Sequence, residues 1–285
     1  MKKGLFLLIL AVGSCQYHYS LGQSTRYQKI SDNPDDAINT MISILPIDSY
    51  MAMGKYSGLS VCLGASGAYG LTSRLGFEGN AATSYISIKP GGFTQFEGGA
   101  FLNFKMREKV KNTRVILSYS RTSTSTSTTY IEVPAKVKIA TGLRGGIHYS
   151  SAGIESDGIK ITAGNSKLNL AGIYAGIQST NKHLIKTQQK DEKEPRPTGA
   201  LFKLYADMLF FPVSKISDPV LDSKIASGNL GGRAGILWVV APYTKKQHPN
   251  YKAFLHRLNI ISEIGSKPVD GLYVKMGAGW GLFYK

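Results

Sequence analysis

A short stretch near the middle of the chain combines the residue types of nucleophilic catalysis. His148 and Ser150 lie two positions apart, and Glu155 follows them. In such chemistry a serine hydroxyl attacks, a histidine accepts its proton and a carboxylate orients the histidine. Residues two apart in a strand point to the same side of a sheet, whereas Glu155 falls in a predicted turn. We therefore predict no catalytic residue and keep hydrolysis as an alternative.

The other residue types that could carry chemistry are too scattered for a metal or a cofactor. The five histidines and two cysteines show no metal-ligand spacing. The glycine-rich stretch 142–146 (GLRGG) is not followed by the helical pattern that a phosphate-binding loop needs. The sequence thus predicts neither a metal site nor a cofactor.

A set of basic side chains shares the polar face of several predicted strands, and these are the candidate site residues. The members of this set are Lys105, Lys136, Lys138, Arg144, Lys203, Arg233, Arg257 and Lys275. The acidic residues on the same face are fewer, namely Glu97, Glu132, Asp207 and Glu263. A closed barrel would turn this face inward, which predicts a basic lumen that binds or passes anions. The alternative is an interior filled with ion pairs and hydrogen bonds, which the narrow space inside about ten strands favours.

The elements that position these residues are strands, because apolar and polar residues alternate from about Tyr56 onward. In the last segment, Leu272, Val274 and Met276 alternate with polar or small residues such as Lys275. The same alternation occurs near residues 95–107, 131–149, 202–210, 229–240 and 254–264. Weaker patterns mark strands near 58–66, 69–78, 113–122 and 164–178. We predict an all-β fold, a closed antiparallel barrel of about eight to twelve strands over residues 56–285.

Three features favour a transmembrane barrel over a soluble one. The alternation continues well beyond the five or six residues, roughly, of a typical globular strand. Glycines such as Gly235 and Gly265 lie on the polar face, where they would make room for large neighbours inside a narrow barrel. Aromatic residues, for example Phe202 and Phe210, lie near the ends of the apolar stripes, as in the aromatic girdles of membrane barrels.

The chain begins in the way that an exported protein begins. Lys2 and Lys3 precede an apolar run at residues 4–12 that is too short to cross a bilayer as a helix. We predict a signal peptide over residues 1–22. A lipobox that ends at Cys15, which would then be lipidated, is the alternative. Cleavage after residue 22 would leave Cys62 as the only cysteine and allow no intrachain disulfide.

Residues 23–55 differ from the rest and predict a separate N-terminal segment. Pro34 follows Asp32 and Asn33, which is a helix-start signal. Apolar residues at positions 38, 41, 42 and 45 fall on one helical face. This pattern predicts a short amphipathic helix at about residues 34–45. The helix would act as a periplasmic cap or plug, or would pack on a soluble core.

The net charge limits the classes of partner that we expect. The chain carries a formal charge of +16, with an isoelectric point near 9.7. Such a charge suggests nucleic acid in a cytosolic protein, but export argues against that partner. We expect outer-membrane lipid or lipopolysaccharide phosphates, anionic solutes, and protein partners that contact the loops.

The final strand ends on Phe283 and Tyr284 and resembles the C-terminal signal of bacterial outer-membrane β-barrel proteins. The resemblance extends over Tyr56–Lys285, and Lys285 after the aromatic pair departs from the pattern. It implies recognition by the barrel-assembly machinery and a bacterial outer-membrane location. His148 and its neighbours also resemble the catalytic residues of outer-membrane lipid A deacylases, which act at the lipid face.

The leading hypothesis is a non-enzymatic, porin-like barrel that acts as a narrow channel, an anion-binding pore or a scaffold. One alternative is a secreted soluble β-barrel or sandwich that binds a ligand or a partner. The other alternative is an outer-membrane lipid hydrolase. The three differ in which face of the sheet is apolar and in what lies inside the barrel.

Overall fold

The computed structural model describes most of the chain as β-strands. The described residues are 27–37, 40–53, 58–88, 92–121, 124–153, 167–189, 195–217, 229–240, 257–268 and 271–284. The strands in this part are β1 (Tyr27–Ser31), β2 (Thr40–Ala52), β3 (Gly58–Gly70), β4 (Leu75–Ser87), β5 (Phe93–Arg121), β6 (Thr126–Gly153), β7 (Lys167–Gln189), β8 (Arg196–Ser217), β9 (Leu230–Val240), β10 (Leu258–Lys267) and β11 (Gly271–Tyr284). Within the same ranges, no helix is long and apolar enough to cross a membrane.

Strands β2 to β11 form one closed antiparallel barrel of ten strands. Each strand pairs with the next one along the chain, and β11 closes the ring on β2, where Trp280 lies opposite Ile44. Strand β1 lies outside the ring and pairs with the end of β7, where Tyr27 lies opposite Gln189. The closed antiparallel barrel and the strand number predicted from the sequence are confirmed.

The two ends of the barrel differ in construction. We call the end that holds the start of β2 and the finish of β11 the near end, and the opposite one the far end. At the near end, β5 and β6 continue beyond the last pairing of β4 with β5, at Leu75 and Leu102. Their continuation is a two-stranded hairpin that projects past the barrel wall, and β1 lies beside it on β7.

The wall of the barrel is apolar outside and polar inside. Large side chains exposed on its outer face include Phe77, Phe96, Leu143, Ile147, Ile173, Ile177, Leu204, Met208, Ile264, Met276 and Leu282. Residues at the alternate positions are buried although they are charged, and they include Glu97, Arg144, Asp207, Arg233, Glu263 and Lys275. Because side chains alternate between the faces of a strand, the two sets lie on opposite sides of the wall, with the parity that the sequence predicted.

Glycines on the inner face make room for large tyrosines. A Cβ atom on Gly235 would lie 2.4 Å from Cζ of Tyr205, its partner on β8. A Cβ atom on Gly265 would lie 2.7 Å from Cε1 of Tyr273, its partner on β11. Real Cβ atoms do not approach so closely, so these positions require glycine for space. This is the role that the sequence predicted for glycine on the polar face.

Two bulges reset the alternation of side chains. The pairing of β2 with β3 and β11 is interrupted at Pro46, which has no backbone N–H to donate to a ladder. As a result, Leu45 and Asp48 both point inward. The pairing of β5 with β6 shifts between Asn103 and Lys105, so the residues after the shift exchange faces.

The predicted N-terminal helix is wrong. In its place the structure has a single 3-10 turn, Pro34–Asp36, followed by strand β2. The helix-start signal operates locally, since the Asn33 side chain accepts a hydrogen bond from the backbone N–H of Asp35. The following apolar residues, however, alternate as a strand between β3 and β11. The barrel therefore begins at Thr40 and not at Tyr56, because tertiary pairing overrides a helical period that spans only a few residues.

Candidate functional site

The middle of the barrel interior holds a layer of buried charges centred on Arg233. Its Nη1 atom lies 2.5 Å from Oε1 of Glu97 and 3.5 Å from Oε2 of Glu263. Its Nε atom lies 2.7 Å from Oδ2 of Asp207. The three carboxylates come from β5, β8 and β10, and so one guanidinium joins four strands across the lumen. Arginine suits this position because its planar fork offers five N–H donors.

A second cluster lies next to this layer. Arg144 places Nη2 2.7 Å from Oε1 of Glu78, and its Nε atom lies 3.6 Å from Oδ1 of Asp207. Lys203 forms a close ion pair with the other oxygen of Glu78. The guanidinium of Arg144 also lies 4.2 Å from the ring centroid of Tyr205, within cation–π distance.

Hydrogen bonds from two tyrosines complete the layer. Both Tyr205 and Tyr273 donate a hydrogen bond to Glu263, over 2.5 and 2.7 Å. Lys275 lies 3.3 Å from Oδ2 of Asp48, and both side chains are fully enclosed. Buried charges are stable only when they are paired and hydrogen-bonded, so these contacts describe a packed interior.

The structure brings together only some of the predicted lumen residues. Arg144, Lys203, Arg233 and Lys275 line the interior. Lys138 lies at the near-end mouth, where it contacts a carboxylate of the N-terminal segment. The other three candidates are placed elsewhere.

The placement of each of the three has an identifiable physical reason. Lys105 is exposed because the bulge after Asn103 reverses the face of β5. Lys136 is exposed because it lies on the projecting hairpin, beyond the wall. Arg257 lies in the turn before β10, with a φ of 63°, and is not a strand residue.

In the described interior below the mouth, carboxylates and cations are equal in number. The carboxylates are Asp48, Glu78, Glu97, Asp207 and Glu263, and the cations are Arg144, Lys203, Arg233, Lys267 and Lys275. Sequence reasoning missed Asp48 because residues 23–55 were predicted as a separate N-terminal segment outside the barrel. It missed Glu78 because the strand predicted at 69–78 includes the turn between β3 and β4. Glu132 is exposed on the projecting hairpin, where it pairs with Arg114.

His148 and Ser150 both point into the interior and are buried. The Nδ1 atom of His148 lies 2.7 Å from Oε1 of Glu97, a carboxylate that can orient this histidine. Glu155 lies outside the described residues. The ring of Phe211 packs edge-on against His148, with 5.4 Å between centroids. A histidine enclosed in this way does not face the outer side of the wall. Within the described ranges, no group of three potential ligands is arranged to hold a metal ion.

The far end of the interior is filled by two apolar clusters. One cluster contains Leu168, Leu170, Tyr174, Leu209 and Phe211. The other contains Tyr50, Ala52, Cys62, Ala82, Phe93 and Tyr273. In the second cluster the rings of Tyr50 and Phe93 stack with 4.0 Å between centroids. Most members of both clusters lie on the far-end side of the charged layer.

The near end contains a cavity of about 200 Å³. The apolar part of its wall includes Met41, Phe101, Met106, Leu201, Leu237 and Ile261. Its floor is formed by Arg144, Glu78 and Lys203, the second charged cluster, and its mouth by Lys138 and Lys182. This cavity is the candidate functional site, since it combines an apolar wall with convergent charged groups.

The N-terminal segment reaches into the mouth of the cavity. Asp35, in the 3-10 turn, accepts hydrogen bonds from Nζ of Lys138 over 2.7 and 2.8 Å, and lies 3.3 Å from Nζ of Lys182. The hydrogen bond from Lys138 and the charge of Lys182 hold the pKa of Asp35 below its ordinary value. The next residue, Asp36, pairs with Lys186 over 3.0 Å, outside the cavity. Two lysines of the barrel therefore converge on one carboxylate of the segment.

The predicted signal peptide and Cys15 lie outside the described residues. Comparisons with known proteins add no assignment, because no family model and no curated protein matches the chain. The fold and the geometry of the interior therefore carry the functional argument.

Proposed function

We propose that this chain is a membrane-inserted β-barrel of the bacterial outer-membrane type, and that it acts as a scaffold with an occluded interior. The observation that carries the proposal is the inverted polarity of the wall, with apolar side chains outside and ion pairs inside. A soluble ligand-binding barrel requires the opposite arrangement, because its outer face meets water. A wide apolar outer face that is closed on itself is stable in hydrocarbon, where no strand edge is exposed.

Two exposed residues test the proposal as a matched pair. Ile177 is 58% exposed on β7, about midway between the ends of the wall, where it lies opposite Leu143 and Ala206. Val110 is 70% exposed, but it lies on the projecting hairpin. In a membrane barrel, Ile177→Arg costs about 2–4 kcal/mol, whereas Val110→Arg costs little. In a soluble protein, both substitutions are tolerated to within roughly 0.5 kcal/mol.

The measurement is the folded fraction of each variant in lipid vesicles, read from the change in gel migration on boiling. We expect wild type and Val110→Arg to fold and to float with the vesicles, and Ile177→Arg to fold poorly. Equal behaviour of the two variants, or a wild-type protein that stays in the aqueous fraction, would contradict the proposal.

The scaffold part of the proposal is supported by the filled interior. The far-end clusters and the ion pairs around Arg233 place large side chains inside the barrel, where a porin-like channel needs an open path. In planar bilayers we therefore expect no steady conductance from the purified barrel. A stable open current with anion selectivity would favour the channel instead.

A row of cations supports anionic lipid as a partner. After the bulge in β5, Lys105, Arg107, Lys109 and Lys111 follow each other on the face that carries apolar residues farther down the wall. All four are exposed, and they begin next to Phe104, which is also exposed. We propose that this row contacts acidic headgroups where the wall leaves the bilayer, with each cation near the surface contributing about 1 kcal/mol. Replacing all four by glutamine should reduce binding to vesicles that contain phosphatidylglycerol and leave binding to phosphatidylcholine vesicles unchanged.

A further inference from the structure

We propose that the near-end cavity binds an amphiphilic monoanion, a molecule with one negatively charged head and an unbranched apolar tail, and that Asp35 occupies the position of the head. The proposal goes beyond the scaffold function, because it assigns a ligand class and a closing device to a cavity. It stands on the lining of the cavity and on the contacts of the N-terminal segment.

The wall of the cavity determines which kind of ligand tail fits. Phe101, Leu201 and Leu237 represent the apolar side chains that surround most of the space. Most of the exposed lining is apolar, although the polar side chains of Asn80 and Gln178 also border the space. A saturated chain fits it, and burial of each methylene would tighten binding about fourfold. A volume near 200 Å³ matches a chain of medium length and not a full-length lipid.

The mouth of the cavity determines which kind of ligand headgroup can bind. Lys138 and Lys182 lie opposite each other in the register of the adjacent strands β6 and β7. Both contact the same carboxylate, that of Asp35. The deeper cations, by contrast, are neutralised by carboxylates of the wall itself, such as Glu78. The mouth is therefore the place where an anion from outside the wall can be held.

The segment that supplies Asp35 is attached to the barrel in a way that allows a ligand carboxylate to take the place of the Asp35 carboxylate. It contacts the barrel through the short strand β1, the 3-10 turn, and Ala37, which packs against Leu184. The side chain of Asp35 is 49% exposed, and therefore water reaches the ion pairs. A ligand carboxylate can then replace that of Asp35 on the two lysines, while its tail enters the cavity.

The test uses the full chain, refolded in detergent or nanodiscs, and isothermal titration with octanoate, octanol and acetate. Octanoate should bind more tightly than octanol, which lacks the charge, and than acetate, which lacks the tail. Empty nanodiscs correct for partition into lipid. A free carboxylate and a single-chain phospholipid would present the same chemistry, so lysophosphatidylglycerol is titrated in parallel to separate these sources.

Two neighbouring substitutions provide the matched comparison. Asp35→Asn removes the competing carboxylate and should tighten octanoate binding about tenfold, the equivalent of one charge-assisted hydrogen bond. Asp36→Asn makes the same change in charge one residue away and should leave the affinity unchanged. Replacing Lys138 and Lys182 together by glutamine should abolish the advantage of octanoate over octanol.

Several results would overturn the inference: no binding of octanoate to wild type, equal binding of octanoate and octanol, or equal effects of Asp35→Asn and Asp36→Asn. The wild-type comparison of ligands does not depend on the folding of any variant. Failure of this inference can be distinguished from failure of the proposed membrane function. The vesicle experiment tests membrane insertion, whereas the titration in detergent tests ligand binding.

Discussion

The two halves of the barrel interior are built on different principles. The far half is packed with apolar and aromatic side chains, so that Tyr50 and Phe93 stack directly. The near half contains a cavity whose mouth is closed by ion pairs to a separate segment of the chain. The charged layer around Arg233 separates them. One half of a barrel interior can therefore be fully packed while the other half keeps an enclosed space.

The largest effect should come from breaking the layer between the two halves. Arg233→Met leaves Glu97, Asp207 and Glu263 without their shared cation, which should lower the free energy of unfolding by about 3–5 kcal/mol. The matched control is Arg114→Met, which breaks an exposed pair with Glu132 and should cost less than about 1 kcal/mol. Urea unfolding in vesicles measures both. Similar losses would mean that the interior layer is not a structural unit.

A smaller but clear difference should separate the two halves themselves. Phe211 is completely buried in the far half, so Phe211→Ala should cost about 3 kcal/mol through the cavity that it creates. Leu237 is only partly buried and already borders empty space in the near half. Leu237→Ala should therefore cost about 1 kcal/mol. If the order of the two losses is reversed, the far half is not the better packed one.

A substitution that adds one carbon tests how tightly the middle of the barrel is packed. Gly235→Ala places a methyl group against Tyr205 and should cost about 1–3 kcal/mol. At Gly232, three residues earlier, the nearest atom to an added Cβ is 3.6 Å away, which is ordinary contact. Gly232→Ala should therefore be close to neutral. Chemical denaturation of the two variants side by side measures the difference.

The smallest expected effect is a loss of stability of the closed N-terminal segment at low pH, which concerns the near half alone. Because the pKa of Asp35 is lower in the folded protein than its ordinary value near 3.8, its ion pairs stabilise the closed segment above that value. This contribution is lost as the pH falls below about 3.8 and through the folded pKa. Hydrogen exchange of residues 27–37 should accelerate there, before the far-half amides do. In Asp35→Asn this step should be absent, and a step that persists would assign it to another group.

The class of the fold and the direction in which most strands face could be predicted from the alternation of residue types alone. Alternation in β5, β8 and β11 separates residues such as Glu97, Asp207 and Lys275 from their apolar neighbours, because a side chain in a strand can point only to one face or the other. The role of glycine on the inner face was also predictable, because a narrow closed barrel needs small residues beside its large side chains.

Three features depend on tertiary contacts: where the alternation is reset, which charges meet and how the two ends differ. The bulge at Lys105 and the strand at Asp48 depend on pairing with neighbouring strands, and no local pattern signals them. Charge balance in the lumen follows from residues that are far apart in the chain, such as Glu78 and Lys203. The closure of the cavity depends on Asp35 meeting Lys138 and Lys182, and a contact over about a hundred residues leaves no periodic trace in the sequence.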